Sequence, residues 1–248
     1  MKLIFIEGVS GVGKSTLAVK LCTELNEAGH AAKCYLEGDI QNPIDFYGTA
    51  YFKHDEYDKL LKKHPEVSSN TIFAGDIRLV RYCNEDKPLY PEPLLGVLRK
   101  HEFCCNPTNC IPIAEYTRVY KMVWEHFAQA AGDEYEYLIF DGSLLHHPVN
   151  DMLRNYGDCL DQIIYHVQTL VAAVGIYPSQ IIYLSSDNIA ERLQQARVCR
   201  GQAPPTIEQI RFGEKRGQMD LAILPCLSVP YKIRDVLREK ETILWITE

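Results

Sequence analysis

No apolar run in this chain approaches the length of a membrane span; the longest, Leu170–Tyr177, is sized for a core. Positive charge is also scarce. The 248 residues hold 26 Lys+Arg against 33 Asp+Glu, a formal net charge of −7. That balance argues against broad, phosphate-driven binding of nucleic acid. The opening residues lack the basic-then-apolar pattern of a secretory leader, and the chain has no internal repeat or low-complexity tract. Nine cysteines are odd in number, scattered, and nowhere in the C-x2-C form of common structural zinc sites. These absences exclude secreted, membrane and fibrous classes and point to a reduced, cytoplasmic protein. What is present is ordinary globular composition, 46% apolar and 24% charged. The length suits one α/β domain with a substantial core.

The segment 2–6 (Lys-Leu-Ile-Phe-Ile) is almost continuously apolar, the pattern of a strand buried on both faces of a parallel sheet. A glycine-rich turn follows, then a helix over 14–28 with Leu17, Leu21 and Leu25 on one face and Gly29 at its C-terminal end. Further strands are expected at 32–36, 137–140, 181–184 and 242–246. Helical periodicity covers 114–131, 160–174 and 188–200. Thr206 and Gln209 form a capping box for another helix, and Pro230 suits the first turn of a last one. Strands alternating with helices imply a parallel sheet. The Pro-, Asn- and Tyr-rich segment 42–112 interrupts the alternation and is expected to be a mostly helical insertion.

The strongest motif is Gly8-Val9-Ser10-Gly11-Val12-Gly13-Lys14-Ser15, followed by Thr16. It matches G-x-x-x-x-G-K-[ST] between a buried strand and an amphipathic helix, the context that gives the motif meaning. Glycines let successive backbone N–H groups curl round a phosphate, and the helix N-terminus adds partial positive charge. Lys14 is placed to reach β- and γ-phosphate oxygens, and the Ser15 hydroxyl to join a Mg²⁺ shell. This motif predicts binding of a nucleoside triphosphate.

On these residues the chain resembles the P-loop NTPases. With five strands in the order 2-3-1-4-5 it is similar to nucleoside and nucleotide kinases, a three-layer α/β/α fold. The Asn-Lys-x-Asp guanine motif of the GTPases is absent, as is the Leu-Ser-Gly-Gly-Gln signature of ABC ATPases, which favours a small-molecule kinase. Asp141 closes the run Tyr137-Leu138-Ile139-Phe140 and looks like a Walker B carboxylate, a second Mg²⁺ ligand beside Ser15. Glu37 and Asp39 end the second strand, where the family places a carboxylate against the acceptor hydroxyl; Glu37 is the first choice, and Asp39 is either a magnesium contact or a turn residue. After Asp141 the family often has an arginine, but here the sequence is Gly142-Ser143, leaving Arg78, Arg81 or Arg118 to replace it.

A lid is expected at about 192–206. The resemblance implies that Arg197 and Arg200 close over the transferring phosphoryl group, with Arg192 on the adenine side. The cluster His146-His147-Pro148-Val149-Asn150-Asp151 with Arg154 reads either as a pocket wall or as a solvated turn. Phe46, Tyr47, Tyr51, Phe52 and Tyr57 either stack on an aromatic substrate or form a small core. Cys104, Cys105 and Cys110 read as reduced thiols. The expected activity is ATP- and Mg²⁺-dependent phosphorylation of a small molecule, a nucleoside or nucleotide first and an antibiotic or other metabolite hydroxyl next. A homodimer is compatible with this reading. The rival from another class is a nucleotide-binding switch that regulates a protein partner, and a third reading is a kinase of nucleic-acid ends.

Overall fold

The computed structural model describes residues 1–85, 87–104, 106, 110–157 and 159–235. Along the chain these form β1 (Lys2–Gly8), α1 (Lys14–Glu27), β2 (Ala32–Tyr35), β3 (Thr49–Phe52), α2 (His54–Lys63), β4 (Thr71–Ala74), β5 (Ile77–Arg81), β6 (Cys83–Asn84), β7 (Lys87–Pro88), α3 (Leu94–Lys100), α4 (Ile113–Ala130), β8 (Tyr137–Asp141), α5 (His146–Asn155), α6 (Leu160–Ala173), β9 (Ser179–Ser185), α7 (Ile189–Cys199), α8 (Ile207–Ile223) and β10 (Tyr231–Asp235). The chain divides into two compact units, one of 1–36, 132–152 and 159–248, the other of 37–131 and 153–158.

The first unit is an α/β fold on a five-stranded parallel sheet in the order β10-β9-β1-β8-β2. Its central strands are apolar because both faces are covered: Leu3, Ile4, Phe5, Ile6, Ile139 and Ile182 are all buried. Leu17, Leu21 and Leu25 of α1 join Ile4, Ile6, Ile139 and Leu184 in one core, as the spacing of four requires. Gly29 adopts φ +90 after the end of α1, the left-handed exit that glycine permits. Asn188 caps α7 by accepting the Glu191 N–H, and the Thr206–Gln209 capping box opens α8.

The fifth strand among the described residues lies at Tyr231–Asp235, next to β9, where no strand was expected; the strand expected at 242–246 falls outside the described residues. The residues after Pro230 are therefore extended rather than helical. β10 is the outermost strand among the described residues, so its face is half-exposed. Tyr231 and Ile233 stand on its exposed side and Lys232 and Arg234 are half-buried, so the apolar signature of a central strand is missing.

The second unit corrects the expectation of a mostly helical insertion. It contains an antiparallel sheet, β3-β5-β4, and a short β6-β7 hairpin beside α2, α3 and α4. The β4–β5 turn consists of Gly75 and Asp76, with Gly75 at φ +58. A two-residue Gly-Asp turn between runs rich in Ile, Phe and Val is a hairpin pattern. The aromatics of this unit are mainly core. Phe46 packs on Tyr120 and Phe103, with ring centroids 4.0 and 5.3 Å apart, and Phe52 stacks on His101 at 4.3 Å. Tyr57 is buried, while Tyr47 is exposed. No helix among the described residues is long and apolar enough to cross a membrane.

Candidate nucleotide site

The loop between β1 and α1 is shaped by its glycines. Gly8, Gly11 and Gly13 have φ of +137, +85 and +89, conformations that side chains with a Cβ resist. Close approach adds a second reason at two of them. A Cβ on Gly8 would stand 2.5 Å from the Leu184 carbonyl oxygen, and one on Gly11 would stand 2.4 Å from that of Arg192. Nothing lies within 4 Å of a Cβ on Gly13, so the loop is open there. Ser15 and Thr16 are exposed, while Val12 is buried in the core.

Lys14 is buried against its own loop. Its ammonium donates to the Val9 carbonyl at 3.2 Å and lies 3.4 Å from Nδ1 of His146. The Ser15 hydroxyl donates to Asp141 Oδ2 at 2.6 Å. Parallel pairing of β1 with β8 sets Ile6 beside Asp141 and thereby brings this carboxylate to the start of α1. The loop, Lys14, Ser15 and Asp141 are thus assembled in one unit, at the carboxyl ends of the strands where such sheets bind ligands.

Beneath the loop lies a buried charged cluster that the motif does not reveal. Glu7, fully buried in β1, accepts the backbone N–H groups of Leu144 and His146, both at 2.8 Å. Burial pushes its carboxyl up to about 7, against the pull of those two N–H groups and of Arg216. Arg216 of α8, 2% exposed, donates to the Gly8 carbonyl at 3.0 Å and meets His146 Nδ1 at 2.5 Å. Its other nitrogen pairs with Asp220 at 2.8 Å, and the Tyr183 hydroxyl donates to the same carboxylate oxygen at 3.1 Å. Burial holds Asp220 above the usual carboxylate range and Tyr183 above that of a phenol. The histidine cluster is not a solvated turn: it begins helix α5 with His146 and Asp151 buried. Among the described residues no group of three or more His, Cys, Asp or Glu could hold a metal ion. Cys105 and 107–109 lie outside those residues.

The three arginines expected in a lid differ in their surroundings. The backbone carbonyl of Arg192 packs against Gly11, so α7 begins against the loop. Arg197 donates to the Ala203 carbonyl at 2.5 Å and braces the turn after α7, and Arg200 caps α7 in an exposed position. The acceptor candidates all belong to the second unit. Glu37 is exposed, and Asp39 accepts the Gln41 N–H at 2.8 Å in a local turn. Arg78 donates to the Gly75 and Ile77 carbonyls and lies over the Phe73 ring. Buried Arg81 donates to the carbonyls of Ile40, Asn42 and Asp45, pinning that loop. Arg118 pairs with Asp76 at 2.9 Å and Glu115 at 2.7 Å, and Tyr51 donates to Glu115 at 2.6 Å. These residues border a polar cavity of about 290 Å³ with Lys53 and His54 on its wall.

Sheet, loop and the Ser15–Asp141 pair together make an α/β fold with a glycine loop at the carboxyl end of its central strand. No protein-family model matches the chain, and no curated protein sequence does. Among solved structures, that of thymidylate kinase from Candida albicans is 17% identical over 99% of this chain and 87% of the kinase, with a TM-score of 0.44.

Proposed function

We propose that this protein is an ATP- and Mg²⁺-dependent phosphotransferase that moves the γ-phosphoryl group to a small molecule, a nucleoside or nucleotide first and an antibiotic or other metabolite hydroxyl next. The observation that carries the reading is the meeting of Ser15 and Asp141 beside a loop that is open at Gly13. Both donors are hard oxygens, the set that Mg²⁺ requires. Ser15 and Asp141 would hold the ion, which when bound neutralises charge on the phosphates.

The chain's own groups do the rest. Gly8 and the N–H groups of Ser10 to Thr16, with the start of α1, bind phosphate oxygens. Lys14, already at the loop, offsets charge on the β- and γ-phosphates. Arg197 and Arg200 are assigned to the transferring group, and Arg192 to the adenine side, because they lie in or just after the helix that packs on Gly11. Glu37 is assigned the acceptor hydroxyl, with Asp39, Arg78, Arg81 and Arg118 as further acceptor-side residues. Arg118 borders a cavity with its charge shared between Asp76 and Glu115, whereas Arg81 is committed to backbone carbonyls.

The test is mass spectrometry of a metabolite and antibiotic pool incubated with ATP, Mg²⁺ and the protein, beside a Lys14→Ala control. A compound that gains one phosphoryl unit only with the unaltered protein supports the reading and names the acceptor. Binding or hydrolysis of ATP with no phosphorylated product refutes it in favour of a switch that acts on a protein partner.

A further inference from the structure

We propose that His146, held by Arg216 and Glu7, is a positioning residue for the loop lysine: a neutral ring nitrogen of His146 accepts from the Lys14 ammonium and fixes where that ammonium stands. The assignment rests on the loop's binding a triphosphate.

The geometry decides the protonation of the ring. Nδ1 of His146 faces two cations, Arg216 Nη1 at 2.5 Å and Lys14 Nζ at 3.4 Å. Both carry only donors, so Nδ1 offers its lone pair and the ring proton sits on Nε2. That proton points to the Ser10 hydroxyl oxygen in the middle of the loop at 3.5 Å, while Nδ2 of Asn150, itself a donor, stands at the same distance and takes no proton. The Gly8 carbonyl, 3.1 Å from Nδ1, takes its hydrogen bond from Arg216 instead, at 3.0 Å. One guanidinium thus spans the first residue of the loop and the ring that steadies its lysine.

The groups around the ring come from four elements. Lys14 of α1, Arg216 of α8 and His147 of α5 itself oppose a charge on it, and burial opposes it most, holding His146 well below the ordinary histidine range. The carboxylates on β1 and α8 are engaged elsewhere: Glu7 binds the His146 and Leu144 N–H groups, and Asp220 binds Arg216 and the Tyr183 hydroxyl. Glu7 therefore sets where α5 starts, and Arg216 sets how its first ring is turned. Asp220 fixes Arg216 in turn. A buried ammonium with a neutral acceptor keeps its full charge for phosphate, whereas an acidic partner at the same place would compete with phosphate for it.

Two measurements on the full chain test this. Ring ¹⁵N shifts of His146, assigned against the His146→Asn variant, should show the Nε2–H form unchanged from pH 8 to pH 5. A proton on Nδ1, or ordinary titration near about 6.5, overturns the proposal. Calorimetry with ATP·Mg should then find binding weakened about tenfold by His146→Leu, and about threefold or less by His146→Asn, whose amide oxygen restores an acceptor. Equal weakening in the two variants, or none in either, also overturns it. Should the Leu variant fail to fold, the tautomer in the unaltered chain still decides. A chain that binds no ATP·Mg at all refutes the reading of the loop, while the tautomer continues to test the positioning pair on its own.

Discussion

Each of the two units places an arginine between acidic groups, and the settings differ in depth. Arg216 and Asp220 in the first unit are 2% and 0% exposed. Arg118 in the second is 38% exposed, with Asp76 at 66% and Glu115 at 29%. Arg118 has the better inventory of bonds, two carboxylates and the thioether of Met122. Depth, not bond count, sets the consequence. Water screens the second cluster, and removing one member leaves the others solvated. In the first, no solvent can replace a lost partner, so each group is held to one position. The loop at Gly8 is therefore held more rigidly than the surface around Arg118.

The comparison breaks most easily at Arg216. Arg216→Met leaves Asp220 buried without its cation and should cost about 3–5 kcal/mol in urea unfolding. Adding Asp220→Leu should recover most of that loss, because an apolar pair of similar volume needs no partner. An unchanged unfolding midpoint in the single variant would sink the contrast between the clusters.

Glu7 tests the same burial through pH. Its carboxyl is raised from the ordinary 4.5 to about 7, so over that interval the unfolded chain gives up its proton before the folded one does. Stability should therefore fall as pH rises from about 4.5 through about 7, by about 3 kcal/mol in all. The difference between the unaltered chain and Glu7→Gln isolates this slope from the opposite one given by His166, which burial depresses to about 3. Were the slope to persist in Glu7→Gln, another group would be its source.

A smaller separation is expected within the loop. Gly11→Ala meets both a strained φ and the Arg192 carbonyl, whereas Gly13→Ala meets strain alone. Costs of about 2–4 and about 1–2 kcal/mol should result, readable as thermal shifts; equal shifts would mean that α7 yields to the added methyl group. Least is expected at Arg118→Met, under about 1 kcal/mol and less in high salt. A loss of several kcal/mol there would erase the distinction between exposed and buried clusters.

Residues that act through local rules were legible in the chain itself. The loop motif, the four-residue spacing of α1, the apolar run before Asp141, the Asn188 cap and the Thr206–Gln209 box each need only near neighbours for their meaning. The second unit was misread where a hairpin signal, Gly75-Asp76, sat among proline and charged residues that suggested loops. β10 was missed because Lys232 and Arg234 interrupt it, so it lacks the continuous apolar run that marks β1 and β8.

By itself the sequence determined the glycine loop between β1 and α1, the α/β fold with a parallel sheet around it, and the carboxylate that ends β8. Those follow from backbone conformation and from periodicity, which are properties of short segments. The tertiary structure alone decided the support beneath the loop. Arg216 and Asp220 stand four apart and read as an ordinary surface pair on a basic helix. Glu7 reads as the residue before a glycine, and His146 as one of two adjacent histidines. Only packing α5 and α8 against β1 removes water from all of them together, and the loss of water turns routine charges into groups with a fixed protonation and a fixed place.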